Sequence, residues 1–281
     1  MKLDIVVNKY LLMWHLMYCS SVSVELKDLK QKIWNNYKKE YTSLYKEKIS
    51  IIKELDDYIP FDDFLFNLIE ATKLFKKLKQ ETNRYRLSLL EIWDKNRKKY
   101  IKELNLILRY DFNKTYKVCV LHPLLNVVET NLDYNIITIG KKLTLKDKDN
   151  FLTYMFYKLV ESEFENIKSD QRPIIEAILE LATTNELFTK VSDSSKYNLG
   201  KSSLKKLKHR IYPYWLMYLG IEEEKFEEYM IRDNIFFNIG NYRYNKKLKN
   251  MDIFKFIKYI VDNKKELLKI RQITIEEVEV I

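Results

Sequence analysis

The chain has 281 residues, of which 46% are hydrophobic and 32% charged, and it carries a formal net charge of +10. That length suffices for one large domain or two smaller ones, and only four glycines and four prolines interrupt it, which predicts an ordered, helix-rich protein. Two cysteines are too few for a disulfide framework and favour a reducing compartment.

The positive charge admits a nucleic-acid-binding protein. The basic residues are mostly lysine, however, and 40 acidic residues are interspersed with them. This mixture is typical of a solvated, charged surface. Nucleic-acid binding is therefore the less favoured interpretation of the charge.

Residues 10–24, YLLMWHLMYCSSVSV, come closest to a membrane segment. Two lysines before them and small residues after them resemble the flanks of a signal peptide, but His15, Trp14 and Tyr18 disfavour that interpretation. The chain contains no uninterrupted apolar run of roughly 18 residues, so no membrane-spanning helix is expected. We predict a buried N-terminal segment and a cytoplasmic protein.

Apolar residues recur at three- and four-residue spacings from about residue 24 to residue 108, which predicts a helical N-terminal region over residues 1–110. Pro60 interrupts it, because the residue before a proline is disfavoured in a helix. The sequence pattern changes from helical spacing to strand-like composition at residue 111. Residues 117–121 and 135–139 are rich in β-branched and aromatic side chains and are predicted strands.

Helical patterns return after the second strand. They cover residues 146–167, residues 173–191 and three later stretches, and the closing RQITIEEVEVI alternates like an edge strand or a tail. The predicted fold class is α+β, predominantly α-helical with a small β-sheet. Residues 111–281 form its α+β region, either as a second domain or as a continuation of the first.

The order of the predicted strands and helices over residues 111–220 resembles that of a known protein family. The strands are followed by the helix NFLTYMFYKLV at 150–160 and by a second helix, RPIIEAILELATTNEL. This order resembles the core of zincin metallopeptidases, specifically the gluzincin branch. In that family two histidines of an H-E-x-x-H helix bind zinc, the glutamate of the motif acts on the metal-bound water, and a glutamate of the next helix is the third ligand. The resemblance implies a zincin-like core preceded by helices.

The residues of that motif are replaced in this chain. Tyr154 stands in place of the first histidine, Met155 in place of the catalytic glutamate and Lys158 in place of the second histidine. The motif has thus degenerated to Tyr154-Met155-Phe156-Tyr157-Lys158. Glu176 follows Lys158 after 17 residues, close to the spacing of the third ligand in the family, and Glu180 lies one turn further along the same face.

These replacements imply a site without catalytic residues, metal or cofactor. Methionine cannot act as a base, and a protonated lysine repels a divalent cation. A buried carboxylate without a metal is costly unless another cation pairs with it. We therefore predict that Lys158 pairs with Glu176 or Glu180 as an organic cation in place of zinc.

The implied function is non-catalytic binding of a peptide or partner protein in a groove. The strand at 135–139 would hold the ligand by strand addition, and the helix face that bears Tyr154 would form the floor. Two alternatives stay open. One is a basic, helical nucleic-acid-binding or defence-related protein, and the other is a metal-dependent hydrolase with non-standard ligands.

Other motifs favour structural roles. Cys119 and His122 of CVLHP point to opposite faces of a strand, so a metal-binding or nucleophilic pair is disfavoured and we expect His122 to be hydrogen-bonded at the strand end. The GKS of residues 200–202 lacks the earlier glycine of a phosphate-binding loop.

Two basic clusters lie at residues 97–102 and 201–210, and the second precedes Tyr212, Tyr214 and Trp215. Basic residues beside aromatic ones suit single-stranded nucleic acid. They also suit the end of a helix packed on a core, and we predict packing.

Overall fold

The computed structural model describes residues 1–19, 23–61, 63–112, 115–131, 134–141, 148–164, 170–192, 200–238 and 242–268. The chain divides into two units, each built from two segments. Unit 1 comprises residues 1–95 and 113–146, and unit 2 comprises residues 96–112 and 147–281. Helices predominate, and unit 1 contains a four-stranded sheet, so the predicted α+β class is confirmed. The predicted strand or tail at the C-terminus lies outside the described residues.

Unit 1 combines the sheet with the N-terminal helices. Its elements are β1 (Lys2–Val6), α1 (Lys9–Tyr18), α2 (Val24–Asn36), α3 (Lys38–Lys46), α4 (Lys48–Glu54), α5 (Phe64–Ala71), the first part of α6 (Lys73–Leu108), β2 (Thr115–Val120), β3 (Val127–Asn131) and β4 (Ile136–Gly140). The two predicted strands correspond to β2 and β4, whereas β1 and β3 are not among the sequence predictions.

The strand order is β1-β2-β4-β3, in which β1, β2 and β4 are parallel and β3 is antiparallel to β4. β4 is therefore a central strand, and its backbone groups are committed to β2 on one side and to β3 on the other. A peptide cannot add to a strand that is already paired on both sides. The prediction that residues 135–139 hold the ligand is wrong for this reason.

Helix α1 is the buried centre of unit 1. Every residue from Leu11 to Met17 is buried, and the Asn8 side chain caps the helix by accepting a hydrogen bond from the Leu11 N–H at 2.9 Å. A helix that is apolar on all sides is stable only when it is enclosed. The predicted burial of residues 10–24 is confirmed for residues 11–17, whereas Val24 is exposed and residues 20–22 lie outside the described ranges. Of the helices that the structure describes, none has both the length and the apolar character needed to span a bilayer.

Unit 2 is almost entirely helical. It contains the remainder of α6, α7 (Lys148–Glu161), α8 (Arg172–Glu180), a π-helical segment (Leu181–Leu187), α9 (Phe188–Val191), α10 (Lys205–Leu219), α11 (Phe226–Asp233), α12 (Ile253–Asp262) and α13 (Lys264–Leu267). Tyr212, Tyr214 and Trp215 of α10 are at most 2% exposed, so they pack in the core and cannot stack on nucleic-acid bases. The packing prediction for this helix is confirmed.

Candidate functional site

The predicted site residues of α7 lie near its C-terminal end. Met155 is buried, whereas Tyr154 and Lys158 are half-buried. The ring of Tyr154 stacks on that of Tyr157 at a centroid distance of 6.2 Å, and the Lys158 ammonium lies 5.8 Å and 5.4 Å from the two ring centroids. Burial, followed by the charge of Glu161, raises the pKa of Tyr154 to about 12, so this phenol is protonated at neutral pH.

Lys158 pairs with a carboxylate of its own helix. Its Nζ lies 2.7 Å from Oε2 of Glu161, a residue that is 8% exposed. The predicted pairing with Glu176 or Glu180 is wrong, because a partner three residues away on the same helical face is within reach without any contribution from α8.

Glu176 is held by two other cations. Its Oε2 lies 2.7 Å from the Lys201 ammonium and its Oε1 lies 3.0 Å from Nε of Arg172. Burial raises the pKa of this carboxyl, but the hydrogen bonds and charges of Lys201 and Arg172 outweigh that effect and leave its pKa below the ordinary value. Glu176 is therefore an ionised, neutralised carboxylate at neutral pH.

Glu180 forms the most buried ion pair of the site. The Lys208 ammonium lies 2.8 Å from its Oε2, and both side chains are less than 5% exposed. The backbone N–H of Lys201 donates to the two carboxylate oxygens at 3.0 Å and 3.1 Å. An organic cation does neutralise this carboxylate, as the sequence suggested, but it comes from α10 and not from α7.

Gly200 lets the chain approach that carboxylate closely. Its φ is +66°, and a Cβ at this position would lie 2.2 Å from Oε2 of Glu180. Gly220 has a comparable φ of +81°, but a Cβ there would meet nothing nearer than 3.8 Å. Both glycines have a left-handed backbone conformation, but only at Gly200 would an added Cβ clash with a neighbouring side chain.

Replacement of Gly200 with alanine is therefore expected to lower the free energy of unfolding by about 2 kcal/mol or more, against about 1 kcal/mol for Gly220→Ala. Urea titration of both variants measures the two losses of stability. Because both variants carry the backbone strain, the difference between the losses reports the clash with Glu180. Equal losses would contradict the close packing of Gly200 on Glu180.

The site therefore gathers three carboxylates around one phenol. Burial raises the pKa of Tyr157 far above its usual value, and the charges of Glu161, Glu176 and Glu180 raise it further, so the four side chains share one environment. Four of the participating residues, Glu161, Arg172, Lys201 and Lys208, are absent from the predicted site. Only Lys208 has a clear signal, because it interrupts the apolar stripe of Leu204, Leu207 and Ile211.

The π-helical segment extends the same buried polar region. All seven of its residues are buried, including Thr183, Thr184, Asn185 and Glu186. Glu186 accepts a hydrogen bond from Arg232 at 2.8 Å, and Nδ2 of Asn185 has no hydrogen-bond partner within the described ranges. π-Helical turns are rare in proteins, and many of those that occur lie at functional sites.

His122 is hydrogen-bonded at the end of β2, as predicted. Its Nε2 lies 3.0 Å from Glu81 Oε2, and its Nδ1 accepts from the Leu124 N–H at 3.3 Å. Across the ranges that the structure describes, no group of three His, Cys, Asp or Glu side chains is arranged to hold a metal ion.

The outer edge of β3 is a second candidate site, in unit 1. The Lys117 N–H donates to the Asn135 carbonyl at 3.2 Å and the Leu121 N–H to the Ile139 carbonyl at 2.7 Å, so the odd-numbered residues of β4 face β2. Backbone groups alternate along a strand, so the even-numbered residues of β4 face β3. Their partners on β3 are Val127, Glu129 and Asn131.

Val128 and Thr130 consequently direct their backbone N–H and C=O groups away from the sheet. In the described part of the chain no strand pairs with this edge. At the adjoining end of the hairpin, the buried Oδ1 atoms of Asn131 and Asn135 have no hydrogen-bond donor among the described residues. The opposite edge differs, because Arg86 donates to the Ile5 carbonyl of β1 at 3.3 Å.

Comparison with protein-family models, with curated proteins and with solved structures finds no match to this chain.

Proposed function

We propose that this chain is a non-catalytic, metallopeptidase-like protein that binds a peptide or an extended segment of a partner protein as an added strand along β3. The outer edge of β3, which no described strand pairs with, is the observation that carries this proposal. Backbone hydrogen bonds supply the affinity in this mode of recognition, and the outward N–H and C=O groups of Val128 and Thr130 are the groups that would form them.

The ion pairs of unit 2 support the non-catalytic part of the proposal. At the positions of the zincin resemblance, Lys158, Glu176 and Glu180 each have an oppositely charged partner within 3.0 Å. Carboxylates neutralised in this way have no need of a metal ion. We retain the cytoplasm as the proposed location, because Cys19 and Cys119 are both free thiols.

The Val128→Pro variant tests the strand-addition site. Proline removes the outward N–H of residue 128 and leaves the bonds between β3 and β4 intact, since Val128 does not face β4. Peptides are first selected from a phage-displayed library of random sequences, and their affinities are then measured by fluorescence anisotropy. We expect Val128→Pro to weaken binding by about tenfold or more.

Val128→Ala is the matched control, because it shortens the same side chain and keeps the N–H. We expect its affinities to stay within about twofold of the wild type. Equal affinities for the proline variant and the wild type would refute the β3 site. Chelator-sensitive cleavage of the selected peptides would refute the non-catalytic assignment and favour a metal-dependent hydrolase.

A further inference from the structure

The outward face of α3 forms a shallow, basic groove in unit 1. Its lining residues are Lys38, Lys39, Thr42, Ser43 and Lys46, and its volume is about 580 Å³. At 100° per residue, these five positions fall within about 140° of the helix circumference. Glu40 is the one acidic residue of α3, and it lies about 130° from the middle of that face. The groove therefore presents ammonium and hydroxyl groups and no carboxylate of its own helix.

The lysines of this groove form no ion pair with any carboxylate among the described residues. The neighbouring Lys48, in contrast, pairs with Glu129 at 2.7 Å. Unneutralised lysines on one face create a local positive potential that attracts polyanions. This cluster is distinct from the two basic stretches that the sequence pattern emphasises.

Exposed aromatic rings lie near both ends of the groove. Trp34 is 41% exposed, with the Lys38 ammonium 5.0 Å from its ring centroid, and Tyr45, which precedes Lys46, is 60% exposed. Lys38 and Lys46 are eight residues apart on α3, a distance of about 12 Å along the helix axis. One exposed ring therefore lies beside the first lysine of the groove, and a second belongs to the residue before the last lysine.

We propose that this groove binds single-stranded nucleic acid, with backbone phosphates at Lys38, Lys39 and Lys46 and unstacked bases on Trp34 and Tyr45. Basic grooves with aromatic stacking surfaces recognise single strands without a sequence requirement. A duplex keeps its bases stacked and presents only phosphates, so it lacks the contacts to the rings. This site is separate from the β3 edge and does not depend on peptide binding.

The test uses a fluorescently labelled 20-nucleotide oligothymidylate and measures its anisotropy with the full chain at several NaCl concentrations. Replacement of Lys38, Lys39 and Lys46 with glutamate is expected to lower the affinity by about tenfold or more and to reduce the slope of log K against log salt by about 2. Trp34→Ala is expected to weaken binding about fivefold or more without changing that slope.

The matched control replaces Lys73, Lys76 and Lys77 of α6 with glutamate, which makes the same change of net charge at exposed positions of the same unit. We expect this control to bind oligothymidylate within about threefold of the wild type. The proposal would be overturned if the wild type did not bind oligothymidylate at low salt, or if the two triple variants lost the same amount of affinity. It would also be overturned if the wild type bound phosphatidylserine vesicles equally strongly and Trp34→Ala left the affinity for the oligonucleotide unchanged.

Discussion

Replacement of Lys208 with methionine is expected to lower the free energy of unfolding by about 3–5 kcal/mol. Methionine has a similar length and keeps the apolar contacts of the lysine stem, so the main change is the loss of the ammonium group 2.8 Å from Oε2 of Glu180. The Glu180 carboxylate, which is 3% exposed, would then be buried without its cation. Urea titration followed by circular dichroism and tryptophan fluorescence measures the loss.

Two further variants show whether burial is the cause. Lys95→Met removes an exposed ion pair with Glu91 on α6, at 2.6 Å, and should cost at most about 0.5 kcal/mol. Adding Glu180→Leu to Lys208→Met removes the orphaned carboxylate and should recover most of the lost stability. A loss for Lys208→Met no larger than that for Lys95→Met would contradict the buried pair.

Acidification from about pH 6.5 to about pH 4 is expected to destabilise the protein through His15. Burial lowers the pKa of this imidazole to about 4, the nearby Glu129 carboxylate partly opposes that effect, and Lys48 adds to it. The unfolded chain binds the proton near the ordinary pKa of 6.5, so the folded state is penalised across this interval and unaffected above it. The contribution lost is about 3 kcal/mol.

Among the described residues, no neighbour lies within hydrogen-bond distance of the ring nitrogen Nε2 of His15. Its Nδ1 lies 3.3 Å from Sγ of Cys19, its Nε2 lies 3.9 Å from Oε2 of Glu129, and the side chain is fully buried. Denaturant titrations at a series of pH values should give a steeper loss of stability for the wild type than for His15→Gln, which does not titrate. Parallel pH profiles would contradict the buried, neutral imidazole, whatever the absolute stability of the variant.

Local patterns predicted much of the secondary structure. The apolar spacings of α2, α6, α10 and α12 and the β-branched runs of β2 and β4 are visible in the chain because each element buries its own face or run. β1 and β3 are five residues long. β1 pairs Lys2 with Thr115 across more than a hundred positions, so little within the strand itself distinguishes it from a loop.

For the candidate site, too, the sequence predicted part of the arrangement and the packing of helices decided the rest. The positions of Tyr154, Met155 and Lys158 on one helix and of Glu176 and Glu180 on the next follow from periodicity. The partners of those carboxylates do not, because Lys208 lies 28 residues from Glu180 and reaches it only when α10 packs on α8. A charged residue within an apolar stripe predicts that a partner exists, but not which residue it is.

The sequence by itself determined the helical character of this protein, its small sheet and the absence of an H-E-x-x-H motif from the helix at 150–160. Those properties depend on residue type and on spacing within single elements. The tertiary structure alone decided that β4 is central, that β3 is an edge strand of the described sheet, and that Lys208 neutralises Glu180. Each of these depends on which residues meet, and the packing of elements distant in sequence sets that.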